Sequence, residues 1–321
     1  MKELNILLDT NIIRRLIEDN TSMFKVMEDM KSDGYSFAIS DMSLFELLTS
    51  NDVCNNPNKL LSILYDFHIA PIYKTTLTDF ENQYLNWFKS PKTITEMKNS
   101  LLPSFSFTLS IFLSNLTNAI MLFLANKLTT DYSSEFYLYI MHLIDNGNAQ
   151  QHFERVIMDS YINNKEKLRK RIPEELKDLI LREFTYFNLL SKSSYFNEDE
   201  FHKEFTIQKN KYLDKSFKEI CSKILTSNDI KIKNNKKMDN IDKKFIENYF
   251  KNILCYNNSF NINDITDYIN FKYGMKYCYS YYTTDYNSLK KYAIYFKEKN
   301  VLKYLNKIEK TLTKYKFTSW L

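Results

Sequence analysis

The first stretch of the chain constrains its fold most. Residues 4–8, LNILL, form a short, almost continuously apolar run, and a segment with Ile12, Ile13, Leu16 and Ile17 on one face follows directly. A strand exposed on one side alternates apolar and polar residues. A run like this one needs cover on both faces, the condition of a parallel sheet flanked by helices. The pattern recurs twice: SFAIS (36–40) precedes a helical DMSLFELLTS, and FHIAPIY (67–73) follows a helix expected around 58–66. This βαβαβ order predicts an α/β domain, a three-layer α/β/α arrangement around a central parallel sheet.

From about 77 to 250 strand signals disappear. FENQYLNWF, SSEFYLYIMHLI, FERVIMDSYI, PEELKDLILREFTYFNLL and KSFKEICSKIL all space apolar residues at three and four, as helices do. Pro173, followed by Glu174 and Glu175, reads as a helix start, since a first turn has no use for the missing N–H and favours acids. With 3 Gly and 5 Pro in 321 residues, few breaks are expected. Near the C-terminus, NINDITDYINFKY (261–273) predicts a helix stopped by Gly274, and YCYSYYTTD (277–285) a strand. The two ends thus read as one discontinuous domain, 1–85 and 245–321, interrupted by a helical insertion at 86–244.

Four scattered cysteines without CxxC spacing, four histidines without ligand spacing and no signal-peptide pattern at the start predict reduced thiols, no zinc site and a cytoplasmic protein. The uncharged run Leu101–Asn126 is long enough to span a bilayer. Its many Ser, Thr and Asn residues favour burial inside the protein, with no membrane partner. Lysine is unevenly spread: 13 Lys against 7 acids in 203–251, and 9 against 2 in 286–321.

Chemistry concentrates in acids placed where a parallel sheet opens its ligand crevice, at the carboxyl ends of strands or just beyond. Asp9 follows the first strand, Glu46 lies on the helix after the second, Asp264 and Asp267 share a helix face, and Asp285 follows the late strand. Any one of these acids is commonly a helix cap or a surface residue; their joint placement on one frame carries the signal. Oxygen donors without His or Cys select a hard ion, Mg²⁺ or Mn²⁺, which polarises a phosphoryl oxygen and activates water.

LLDTN (7–11), ISDMSLFEL (39–47), NDITDYINF (263–271) and YYTTD (281–285) together resemble the four motifs of the PIN domain family of metal-dependent nucleases. Asp9 and Asn11 match the first motif, and Glu46 with Ser40 and Ser43 before it the second. Asp267, with Asp264 as a variant position, matches the third, and Thr283 and Asp285 the fourth. The resemblance implies that Asp9, Glu46, Asp267 and Asp285 are catalytic. With Asp264 they would hold one or two Mg²⁺ or Mn²⁺ ions, while Asn11, Ser40, Ser43, Asp264 and Thr283 orient them. It further implies an endoribonuclease hydrolysing RNA phosphodiester bonds in line, with the Lys-rich segments tracking the backbone and neighbouring aromatics stacking on bases. A toxin–antitoxin or defence role, an inhibitory or activating protein partner, and self-association all suit such an enzyme.

The resemblance covers about half the chain, and the more than 200 residues between Glu46 and Asp264 depart from the compact pattern. Three other readings stand beside it. One is a nuclease directed at DNA, including single-stranded DNA. Another is a catalytically weak PIN scaffold that binds RNA or protein. The third, a phosphatase of the haloacid-dehalogenase type, also starts with Asp after a strand but needs a second Asp where Asn11 stands.

Overall fold

The structure, a computed structural model, describes residues 5–50, 53, 57–72, 94–127, 133–161, 165–192, 197–214, 238–255 and 261–316. In chain order these form β1 (Asn5–Leu8), α1 (Thr10–Ile17), α2 (Thr21–Ser32), β2 (Ser36–Ser40), α3 (Asp41–Leu48), α4 (Pro57–Asp66) and β3 (Ala70–Ile72). There follow α5 (Ile94–Lys127), α6 (Ser133–Asp145), α7 (Asn148–Tyr161), α8 (Lys165–Lys192), α9 (Glu198–Asp214) and α10 (Asn240–Cys255). The chain closes with α11 (Ile262–Tyr277), β4 (Ser280–Tyr282), α12 (Tyr286–Tyr295) and α13 (Lys299–Lys314). The helices expected at 80–88 and 215–225 lie outside the described residues, as does most of the polar stretch between 228 and 242.

The chain divides into two compact units, 1–105 with 262–321, and 106–261. These junctions differ from the expected 85/86 and 244/245. The start of α5 belongs to the first unit because Ser104 donates to the buried Asp41 carboxylate at 2.5 Å and Phe105 stacks on Phe45 at 4.2 Å.

In the first unit four parallel strands pair in the order β3-β2-β1-β4, an α/β arrangement. Ile6, Leu7 and Leu8 are all fully buried, so the central strand is covered on both faces. β3 and β4 are shorter than expected. Residues 67–69 instead close α4, with His68 in the left-handed region (φ 52°) and the Ile69 N–H bonded back to Leu64. Before β4, α11 continues to Tyr277.

That continuation corrects the reading of Gly274, which lies inside α11 rather than ending it. Its role is close approach. A Cβ here would stand 2.5 Å from the Tyr304 hydroxyl of α13 and 3.3 Å from Cδ2 of Leu7, so glycine lets α11 press onto β1 and α13.

In the second unit every described element is a helix. Pro173 does not start a helix but sits within α8. Ile172, Leu176, Leu179 and Ile180 are buried around it, and this packing offsets the lost backbone bond. The uncharged run lies in α5, the one described helix long and apolar enough to cross a membrane, and 78% of its most apolar window is buried in the fold. Some of its hydroxyls are satisfied locally, Ser110 donating to the Phe107 carbonyl and Thr117 to that of Leu113, whereas the buried Ser106 hydroxyl has no partner among the described residues.

Gly274→Ala is expected to cost about 1–3 kcal/mol by overpacking. The buried Tyr304 hydroxyl has no hydrogen-bond partner among the described residues, so Tyr304→Phe should stay within about 1 kcal/mol of the parent and, in the double variant, restore most of the loss. Urea unfolding of the four proteins measures this; a Gly274→Ala protein as stable as the parent would contradict the close approach.

Candidate active site at the carboxyl end of the sheet

Strand register explains why distant motifs meet. β1 pairs Leu7 with Ala38 of β2 and Leu8 with Tyr282 of β4. Continuing each ladder sets Asp9 level with Ser40 on one side and with Thr283 on the other. The Asp9 N–H bonds the Tyr282 carbonyl at 3.0 Å, extending the sheet to the carboxylate itself. Asp9 also shares its face of the strand with Leu7, the residue against which Gly274 packs. Asp267 lies two helical turns before Gly274, so α11 presents it toward the same side.

Asp9 precedes α1 but makes no capping bond with its side chain, which excludes the simplest structural account of an acid in that place. Instead Thr283 donates its hydroxyl to Asp9 Oδ2 at 2.5 Å and accepts the Asp285 N–H at 2.9 Å. The buried Tyr281 hydroxyl and the Thr10 main-chain N–H also donate to the Asp9 carboxylate. Across from it, Thr10 Oγ1 donates to Glu46 Oε2 at 3.1 Å, and Arg14 Nη2 lies 3.8 Å from Glu46 Oε1. Asp264 pairs with Lys291 Nζ of α12 at 2.8 Å.

α11 is tied down beside these acids. Ser40 accepts the Ser43 N–H at 2.9 Å, capping α3, and donates to Asn270 Oδ1 at 2.5 Å. Asn270 is one turn beyond Asp267 and is buried. The amino-terminal turns of α11 therefore face the carboxyl ends of β1 and β2, where the helix dipole favours negative charge.

Asp9 and Asp267 are both perturbed, first by burial and then by neighbouring charges that include Glu46. Burial pushes Asp9 up to about 6; the Thr283 bond opposes this and the Glu46 charge adds to it. Burial also pushes Asp267 up to about 7, reinforced by Asp9, Glu46 and Asp264 and opposed by Lys291. Burial and the Asp9 and Asp267 charges hold the Tyr281 hydroxyl well above its usual range, so it stays a donor. Asp9, Glu46 and Asp267 thus form a coupled trio, all oxygen donors. Among the described residues no three acidic, His or Cys side chains already stand as a metal-ligating group. Asp285 is exposed at the start of α12, and Asn11 is exposed on α1 while its neighbour Thr10 bonds Glu46.

Five residues of this site were not anticipated from the sequence: Thr10, Arg14, Asn270, Tyr281 and Lys291. Asn270 was the most legible, three residues after Asp267 on the same helix face. Thr10 lies inside the LLDTN motif. Arg14 and Lys291 become visible only once helices are placed.

A carboxyl group raised on folding binds its proton more tightly in the native state. Its stability contribution is therefore complete below the unfolded value of 3.8 and lost as pH rises through about 6 for Asp9 and about 7 for Asp267. At neutral pH the shift of Asp9 corresponds to a penalty on the order of 3 kcal/mol. In EDTA, stability should fall between pH 4 and 7.5, and Asp267→Asn should flatten that fall and raise the pH 7.5 midpoint by a few degrees. Thermal melts across pH test this; an Asn variant less stable at pH 7.5 would contradict the unneutralised charge.

Comparison of the chain with protein-family models, with curated proteins and with solved structures finds no match.

Proposed function

We propose that the first unit is a PIN-like, divalent-metal-dependent nuclease that hydrolyses RNA phosphodiester bonds. The observation that carries this reading is the coupled trio Asp9, Glu46 and Asp267, supplied by three separate segments at the carboxyl end of a parallel sheet. Burial raises two of its carboxyl groups, with the Glu46 charge adding to both and the Asp9 charge adding to that of Asp267. Such a site is under-neutralised at neutral pH, and its all-carboxylate donor set fits a hard cation such as Mg²⁺ or Mn²⁺. Asp9 and Asp267 would hold the ion, with Glu46, whose charge acts on both, beside them.

When bound, the ion supplies Lewis-acid polarisation of the phosphodiester and lowers the pKa of water. The protein's own groups do the positioning. Thr283 and Tyr281 hold the Asp9 carboxylate in one orientation from two sides, and the Ser40–Asn270 bond holds α11 so that Asp267 stays opposite it. Thr10 and Arg14 restrain Glu46. Arg14 and Lys291 place positive charge at the border of the acids, where an anionic phosphodiester approaches. The preference for RNA over DNA rests on the family resemblance alone.

A scaffold that binds RNA or protein without cutting is the second reading. The Lys291–Asp264 ion pair favours it, since it commits one acid of the expected set to an internal cation.

With Mg²⁺ or Mn²⁺, the wild-type chain should cleave labelled RNA, and Asp9→Asn or Asp267→Asn should lower the rate at least about 100-fold, a transition-state loss of roughly 3 kcal/mol. EDTA should abolish cleavage. RNA and single-stranded DNA substrates run in parallel decide the preference. Cleavage that survives Asp9→Asn would remove this site from the reaction, and inert wild type on both substrates would leave the binding scaffold.

A further inference from the structure

α13 carries a second, oppositely charged feature. Lys299, Lys303, Lys307, Lys310 and Lys314 recur at spacings of four, four, three and four. At 100° per residue they fall within an arc of about 80° along roughly 22 Å of helix. Val301, Tyr304, Leu305 and Ile308 occupy the buried side.

We propose that this lysine stripe is a docking track for the phosphate backbone of a single-stranded nucleic acid, at the end of the sheet opposite the carboxylates. Its consequence for cleavage rests on the nuclease reading; the docking itself does not.

Position comes from three contacts. Lys307 Nζ lies 4.5 Å from the Tyr279 ring, and the Tyr279 N–H bonds the Asn5 carbonyl, where β1 begins. Lys314 pairs with Asp33, just ahead of β2, at 2.8 Å. The rings of Tyr35, Tyr279 and Tyr315 cluster there at 5.9–6.0 Å. All three contacts mark the amino ends of the strands.

The stripe is not an ordinary solvated face, which interleaves opposite charges at i,i+4. The helix's acid, Glu309, falls outside this arc at 100° per residue, and its charge acts on the Tyr286 hydroxyl of α12. Lys299, Lys303 and Lys310 are exposed and pair with no acid among the described residues. Like charges one turn apart repel by a few tenths of a kcal/mol each, a cost that a linear polyanion removes by releasing its counterions. Half-buried Tyr35 and Tyr279 offer ring surface beside the lysines, the pairing that holds unstacked bases. A membrane surface fits less well: a helix lying on lipid inserts its apolar face, and here that face is committed to the core.

The test is fluorescence anisotropy of the full chain with a labelled 30-nucleotide single-stranded RNA in EDTA, over a salt series. Lys299→Gln/Lys303→Gln/Lys310→Gln, which removes no contact within the described fold, is compared with the matching Arg triple. We expect the Gln triple to bind at least 10-fold more weakly, with a log–log salt slope lower by about 2, and the Arg triple to bind like wild type. Unchanged affinity and slope overturn the proposal. So does a Gln triple that loses binding only to vesicles containing phosphatidylserine. If RNA is cleaved, the Gln triple should raise KM on long substrates and spare kcat. Lost binding in a protein that cleaves nothing would support the track while removing the nuclease.

Discussion

The first unit depends on a negative charge kept out of water at the end of its central strand. Asp9 is buried, yet among the described residues what acts on its carboxylate is two hydroxyls, a main-chain N–H and the Glu46 charge, with no cation beside them. Hydrogen bonds from Thr283 and Tyr281 make that burial tolerable, but Asp9 and Asp267 still hold protons far above the usual carboxylate range. A fold that gained nothing from this charge would be more stable with an amide there. Carboxyl groups perturbed in this way concentrate at functional sites.

Several packing choices serve that arrangement. The close approach at Gly274 sets the depth of α11 against β1, and the Ser40–Asn270 bond sets its rotation, so Asp267 comes to Asp9 rather than to solvent. Ser104 reaches back to Asp41 from the first turns of α5. The chain thus finishes one wall of the first unit before leaving for its long helical excursion and returning at Ile262.

The two ends of the sheet carry opposite character. Acids gather at the carboxyl ends of the strands, while Lys307 and Lys314 of α13 meet a cluster of three tyrosines at the amino ends. A polyanionic chain would be drawn to the second and repelled by the first until a divalent ion is present there. On the proposed reading, docking and cutting would be separable in space and in ionic requirement.

Much of this was legible beforehand. LNILL and SFAIS read as covered strands because two-sided burial demands unbroken apolar runs. Asp9, Glu46 and Asp267 stood out because each follows an element at a fixed offset, a property of local order alone. Other features were closed to such reading. Gly274 looked like a helix stop because glycine often is one; only the Tyr304 hydroxyl, standing where a β-carbon would have to go, gives it another purpose. Pro173 looked like a helix start, and burial of its neighbours overrode the propensity. Asn11 looked like the partner of the acids, yet helix phase turned it outward and handed that contact to Thr10. The sequence by itself determined which segments are strands or helices and which acids follow them, since periodicity and turn chemistry act over a few residues. Only the tertiary structure decided which of those acids share a dielectric and which cations oppose them, because charges couple through space, across contacts between residues more than 200 apart in the chain, such as Asp9 with Thr283.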